Sequence, residues 1–232
     1  MHLQKHRSEK SNLSQGAGIT LNQTTRRNRL GSVILAAGRS SRMGSPKTDL
    51  TLSTGKTALQ HLIKYHLECN FCVRLVVSEP SKVRLHQIPE SCLVVNTNQE
   101  KGPLFSLQLA LRTLGTVSGV LVQAVDHPLV HPDTLKILST QHRRVPGRIL
   151  VPEYRGRRGH PVLFPQRFFR DLYKAPLEIG ARAITRSRPE TILKVQVDDP
   201  GIHANLNTPE DLLRWRWIGC ASKTSLTVST SA

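Results

Sequence analysis

Val33-Ile-Leu-Ala-Ala-Gly-Arg-Ser-Ser-Arg-Met-Gly-Ser-Pro-Lys47 joins a short apolar run to a loop of small residues that ends on a lysine. Ser32 to Leu35 reads as a β-strand, and Leu35, Ala36, Ala37 and Gly38 as the point where that strand opens into a phosphate cradle. Ala36, Ala37 and Gly38 carry almost no side-chain bulk, so backbone N–H groups there can come close to an anion. Beyond Arg39, Ser40 and Ser41 add hydroxyl donors, and Arg42 and Lys47 add full positive charge. A guanidinium fork orients phosphate oxygens and an ammonium acts as a compact point charge, a combination suited to a chain of phosphates.

The strands and helices around this stretch alternate. Leu59, Leu62, Ile63, Tyr65 and His66 recur with a helical period after Ser53-Thr-Gly-Lys-Thr57. That segment is not a Walker loop, because Leu50 stands where the first glycine would have to be; it reads as a turn that opens a helix. Val73 to Val77 and Cys92 to Val95 read as buried strands, and Leu107 to Leu114 as a helix stopped by Gly115. Ser106 stands at its start, either as its cap or as a ligand contact. Ile149 to Val151 and Ile192 to Val197 are further strands, and Gln166 to Leu172 and Gly180 to Thr185 are helical. Strands interleaved with helices predict an α/β fold with a largely parallel sheet.

The 232 residues suit one domain with tails. We place it at residues 31–218, between a basic segment 1–30 and a Ser/Thr-rich segment 219–232, both expected to be disordered. The net charge of +17 attracts polyanions without choosing among them. Only 4% of residues are aromatic and no basic face interleaves with them, which argues against a nucleic-acid stacking platform. No run is long enough to span a bilayer, the first twenty residues lack the apolar core of a secretory signal, and a cytoplasmic protein is expected. Cys69, Cys72, Cys92 and Cys220 then read as reduced structural thiols, since Cys69-Asn-Phe-Cys72 lacks a second pair at zinc-ribbon spacing.

Gly119 to Val125 is the strongest strand, and it delivers Asp126 just past its end. Ligands of open α/β sheets gather at the carboxyl ends of strands, where a carboxylate facing a phosphate loop can hold a divalent cation. Capping of the helix from Pro132 falls more naturally to His131 or Asp133. Farther on, Tyr154-Arg-Gly-Arg-Arg-Gly-His-Pro-Val-Leu-Phe164 is a basic, glycine-punctuated turn suited to a second phosphorylated ligand. Its His160 is either a donor to that ligand or an exposed turn residue. In Asn205-Leu-Asn-Thr-Pro-Glu-Asp211, Thr208, Pro209 and Asp211 make a helix start. Asn205 and Asn207 alternate on an extended segment and point to one side, where their amide oxygens can ligate a hard cation.

Four of these motifs, in this order over residues 31–217, resemble the MobA-like nucleotidyltransferases, the molybdenum-cofactor cytidylyl- and guanylyltransferases and their relatives. Val33 to Lys47 is similar to their LAAGxSSRMGxxK signature, Asp126 to their magnesium-binding aspartate, Gly156 to Phe164 to GRxGHPVLF, and Asn205 to Asp211 to the closing DxDTPEDL or NxNTPEEL. The resemblance implies a single Rossmann-like, three-layer α/β/α domain with a mostly parallel mixed sheet, of the nucleotide-diphospho-sugar transferase type. It implies an enzyme that moves a nucleoside monophosphate from an NTP to a phosphorylated acceptor, most readily molybdopterin, with magnesium as cofactor and pyrophosphate as product. Nucleotide binding then falls to Leu35 through Arg42, Lys47 and Ser106, catalysis to Arg42, Lys47 and Asp126, and metal binding to Asp126 with Asn205 or Asn207. Arg158, Gly159 and His160 face the acceptor.

Within the family, Ala36-Ala37-Gly38 and Ser106-Leu107 resemble the cytidylyl branch, so CTP is expected ahead of GTP; Gly102-Pro103-Leu104 leans the other way. Asp49 departs from the usual leucine, and an acid near phosphates is costly unless it faces solvent or meets a different acceptor, such as a sugar or polyol phosphate. A non-enzymatic binder of nucleotides or nucleic acid is the rival from another class.

Overall fold

The computed structural model describes residues 29–38, 47–52, 55–80 and 88–215. Its strands are β1 (Gly31–Leu35), β2 (Cys72–Val77), β3 (Leu93–Val95), β4 (Gly119–Ala124), β5 (Ile149–Tyr154), β6 (Arg157–Arg158), β7 (Val162–Pro165) and β8 (Ile192–Gln196). The helices are α1 (Ala58–Glu68), α2 (Gly102–Leu111), α3 (Pro132–Arg144), α4 (Phe169–Lys174), α5 (Arg182–Ser187) and α6 (Pro209–Trp215). The strands form one mixed sheet in the order β3-β2-β1-β4-β7-β5, with β6 and β8 both pairing with β5. The pairs β3-β2, β2-β1, β1-β4 and β5-β8 are parallel, whereas β7 is antiparallel to both neighbours.

Alternation along the buried strands sorts side chains into two cores. Ile34, Leu75 and Leu121 face α1 and α3 and pack with Leu59, Leu62, Leu135 and Leu138. Val33, Val76 and Val120 face the other way, onto Leu104 and Leu107 of α2 and Leu172 of α4. The α/β/α layering follows from this period of two, and each fully buried leucine contributes about 2 kcal/mol. Leu30 belongs to the first core, and Arg29 holds the carbonyls of Asn70 and Phe71 at 3.2 Å. Among the described residues no helix is long and apolar enough to cross a membrane.

Local signals behave as physical chemistry dictates, with two corrections. Thr57 and Gln60 form a capping box at the start of α1, after a turn through Gly55 at φ 75°. The strand expected from Cys92 starts at Leu93, because Glu90–Cys92 is a 3-10 turn. The helix expected from Leu107 begins earlier: Gly102, at φ 77°, turns the chain and Pro103 opens α2. Ser106 therefore lies inside α2 and is not its cap.

Candidate active site

Strand order reverses between β1 and β4, whose connections run toward opposite edges of the sheet, the kind of place where open α/β sheets bind ligands. Leu35 pairs with Ala124, the last residues of the two strands, and the Val125 amide donates to the Leu35 carbonyl at 3.0 Å. The loop that begins with Ala36 and the turn that carries Asp126 therefore leave the sheet side by side. Ala36 donates its own amide to the Val76 carbonyl at 2.8 Å, so that amide belongs to the sheet and is not a phosphate donor, contrary to expectation. Ala37 is buried in the second core, while Gly38 is exposed with open space where a Cβ would stand. Arg39, Ser40, Ser41 and Arg42 lie outside the described residues, as does the Lys47 side chain.

The Lys47 backbone opens a 3-10 turn, Lys47–Asp49. Leu50 and Leu52 just beyond share a buried cluster with Leu206, packed against Leu129, and this brings the segment after Lys47 to the Asp126 side of the molecule. Asp49 is exposed and accepts from the Thr48 hydroxyl at 3.0 Å. Solvent screening thus removes the cost of an acid at that position.

At the end of β4, His127 donates its amide to the Ala124 carbonyl at 3.1 Å and closes the turn on which Asp126 sits. The Asp126 carbonyl accepts from the Leu206 amide at 2.7 Å, which docks the closing segment against that turn. On this segment the Asn207 amide nitrogen donates to Asn205 Oδ1 at 2.6 Å, so the two side chains do share one side. Asp211 anchors them from behind: Oδ2 accepts from the Asn207 and Thr208 amides at 2.9 and 3.0 Å, while Thr208 caps α6. These amide hydrogen bonds, Asn207 first, hold the Asp211 carboxyl below its ordinary range. A carboxylate with two amide oxygens is a hard-oxygen donor set, which suits magnesium or manganese. Among the described residues no cluster of three His, Cys, Asp or Glu side chains competes for a metal.

The acceptor candidates come from the β5–β6 turn, where Arg155 and Gly156 have φ of 49° and 76°. Arg157 and Arg158 are exposed on the hairpin. The amides of Gly159 and His160 donate to the Pro152 and Ile202 carbonyls at 2.9 and 3.0 Å. The His160 ring stacks on His127 with centroids 4.3 Å apart, and His127 Nε2 lies 3.8 Å from Asp126 Oδ1. His160 is thus packed beside Asp126 and is not an exposed turn residue. Burial pushes its imidazole below the usual value, with Asp126 opposing and Arg182 reinforcing, so the ring is neutral near pH 7. Ser106 Oγ stands apart, buried and accepting from Asn96 at 2.8 Å just past β3.

Two features escaped the sequence reading. Arg182, exposed at the start of α5, places a positive charge toward His160, but a lone arginine in a basic chain carries no sequence signal. Asp199, just past the strand expected at Ile192 to Val197, is buried: its oxygens take the His131 amide at 2.8 Å, the Thr134 hydroxyl at 2.7 Å and the Gly201 amide at 2.8 Å. It staples the closing segment to the start of α3, and the adjacent Pro200-Gly201 turn was its only hint.

Residues 32–192 match the MobA-like NTP transferase domain. The chain is 30% identical over 190 residues to a probable molybdenum cofactor guanylyltransferase of Rhodopirellula baltica, a match covering 78% of this chain and 88% of that protein. Its fold is similar to the crystal structure of Rv0371c from Mycobacterium tuberculosis, at a TM-score of 0.69 and 25% identity over 82% of this chain and 98% of that one. A structure of Rv0371c in complex with manganese aligns at 0.63 and 23% identity, covering 81% and 97%. The matched segment takes in β1 through the start of β8, with Asp126 and the His160 turn inside it, and on that extent of sequence and fold the chain belongs to the MobA-like NTP transferase family.

Proposed function

We propose that this nucleotidyltransferase moves a nucleoside monophosphate from GTP to a phosphorylated acceptor of the molybdopterin class, releasing pyrophosphate. The observation that carries the reading is the pairing of Leu35 with Ala124, from which the anion loop and the Asp126 turn leave the sheet together. GTP as donor is supported by the guanylyltransferase relative and by Gly102-Pro103-Leu104 at the start of α2. The second reading, CTP, is favoured by Ala36-Ala37-Gly38.

The chemistry is attack by an acceptor phosphate oxygen on the α-phosphorus; a new P–O bond forms, the α–β bridge breaks, and pyrophosphate takes the electron pair. Two unit charges 4 Å apart repel by about 4 kcal/mol at an effective dielectric near 20, so cancelling repulsion is the first task. Arg42 and Lys47 would neutralise the triphosphate, and no protein nucleophile is needed, because the acceptor is already ionised. Asp126, with Asn205 or Asn207, would hold a divalent cation, which supplies charge neutralisation at the phosphate oxygens. Neutral His160, packed on His127, would orient the acceptor by hydrogen bonding, with the charge of Arg182 and Arg158 facing its phosphate.

The test is pyrophosphate release from each of the four NTPs with magnesium or manganese and a panel of acceptors: molybdopterin, sugar phosphates and polyol phosphates. Release that needs both GTP and molybdopterin is expected. Release only with CTP moves the donor assignment to the second reading, and release only with a sugar or polyol phosphate overturns the acceptor.

A further inference from the structure

A chain of buried polar groups runs under the sheet on its α1 side and ends at the turn that carries Asp126. Ser32 Oγ on β1 lies 2.5 Å from Nδ1 of His66 on α1, and His66 Nε2 lies 2.9 Å from Gln123 Oε1 on β4. Gln123 Nε2 donates to the His127 carbonyl at 2.7 Å. Ser32 and His66 are 0% exposed and Gln123 1%.

The far end dictates every proton. A carbonyl only accepts, so the Gln123 amino group faces His127 and its oxygen faces His66; His66 Nε2 therefore carries the hydrogen and Nδ1 accepts from Ser32. The donors run one way, from β1 to the Asp126 turn. Stability alone is a weak reason for this arrangement, since a buried neutral hydrogen bond nets about 1 kcal/mol and an apolar trio would fill the same space. What apolar side chains cannot do is grip the His127 carbonyl. The His127 amide is held by the Ala124 carbonyl and the His127 carbonyl by Gln123, so the two peptides on either side of His127 are clamped, and the first of them is the peptide that leaves Asp126.

We propose that Gln123, held by His66 and Ser32, is a positioning residue that sets the Asp126 turn for divalent-cation binding. The proposal rests on the reading that Asp126 holds the cation. Partners that orient metal ligands typically matter by about 10- to 100-fold in affinity.

The experiment is a Mn2+ titration of the full chain without nucleotide, followed by water-proton relaxation enhancement, alongside thermal unfolding in metal-free buffer. The wild type binds Mn2+ and Asp126→Asn does not; equal binding by the two overturns the Asp126 reading and the proposal with it. With that control in place, Gln123→Met, which keeps the bulk but removes both hydrogen bonds, is expected to weaken Mn2+ binding by about tenfold while remaining folded. A loss below threefold in the folded variant overturns the proposal and leaves the Asp126 reading standing. Should Gln123→Met fail to fold, Ser32→Ala decides. It removes one hydroxyl and frees the His66 ring to change tautomer, and the same threefold threshold applies.

Discussion

The Leu206 amide donates to the carbonyl of Asp126 across 2.7 Å, and this one bond joins the Asp126 turn to the last of the family motifs. Asn205 and Asn207 flank Leu206, and their side chains bond to each other at 2.6 Å. Those amides are neutral, so in the proposed donor set Asp126 is the one anion. Asp126→Ala is therefore expected to lower turnover by about a hundredfold or more, the scale of one lost transition-state contact, and Lys47→Ala to do the same. Pyrophosphate release by purified, folded variants checks this, and near wild-type turnover removes the residue from the site.

Asp211 acts on the same segment from the other side. Its carboxylate takes the Asn207 and Thr208 amides, so Asp211→Ala frees the segment and uncaps α6 together. The expected stability loss is about 1 kcal/mol, the usual size of a lost cap. Because Asn207 moves with the cap, the concentration of magnesium or manganese needed for half-maximal turnover should rise as well. Urea unfolding and a metal titration of activity measure the two effects separately, and an unchanged metal requirement would show that the cap is structural only.

The core elements were legible because β1, β2 and β4 are continuous aliphatic runs, and because Thr57, Thr208 and Asp211 are capping residues whose chemistry is local. The place of Asp126 was legible for a related reason: a strong strand announces its end. What stayed hidden depends on contacts between distant segments. A cap was one of the two readings of Ser106 because Leu107 opens the leucine pattern, yet Pro103 starts the helix a turn earlier. Whether His160 was a donor or an exposed turn residue could not be read among its glycines and arginines, and only the fold reveals His127 beneath its ring. His66 read as one more position on the inner face of α1; its partners Ser32 and Gln123 sit on two different strands, so no local pattern points to them.

Gly159 falls within the motif expected to face the acceptor, but its geometry makes a different demand. A Cβ there would lie 2.4 Å from the Ile202 carbonyl oxygen and 2.7 Å from its side chain. The obstacle is backbone, so it cannot swing aside, and overpacking of this kind costs about 1–3 kcal/mol. Gly159→Ala should thus lower the urea midpoint and push the His160 turn off Ile202, raising the KM for acceptor more than the KM for NTP. A variant of full stability with normal acceptor KM would show that the turn yields without cost.

His66 gives the fold a pH dependence whose sign is fixed by burial. Its imidazole is lowered from 6.5 to about 4, desolvation outweighing the hydrogen bond to Gln123. The folded protein keeps it neutral while the unfolded chain takes up a proton below pH 6.5, so stability is full above that value and is lost as the pH falls toward 4. Between pH 7.5 and pH 5 this one group removes about 2 kcal/mol, at 1.36 kcal/mol per pH unit below 6.5. His61, His142 and His160 are lowered as well and act in the same direction, so the full slope exceeds that of one histidine. Urea unfolding at the two pH values should give a markedly less stable protein at pH 5, and His66→Gln should shrink the difference by about 2 kcal/mol. An unchanged difference in that variant would mean that His66 binds its proton in the folded state, which the one-way hydrogen bonds from Ser32 to Gln123 forbid.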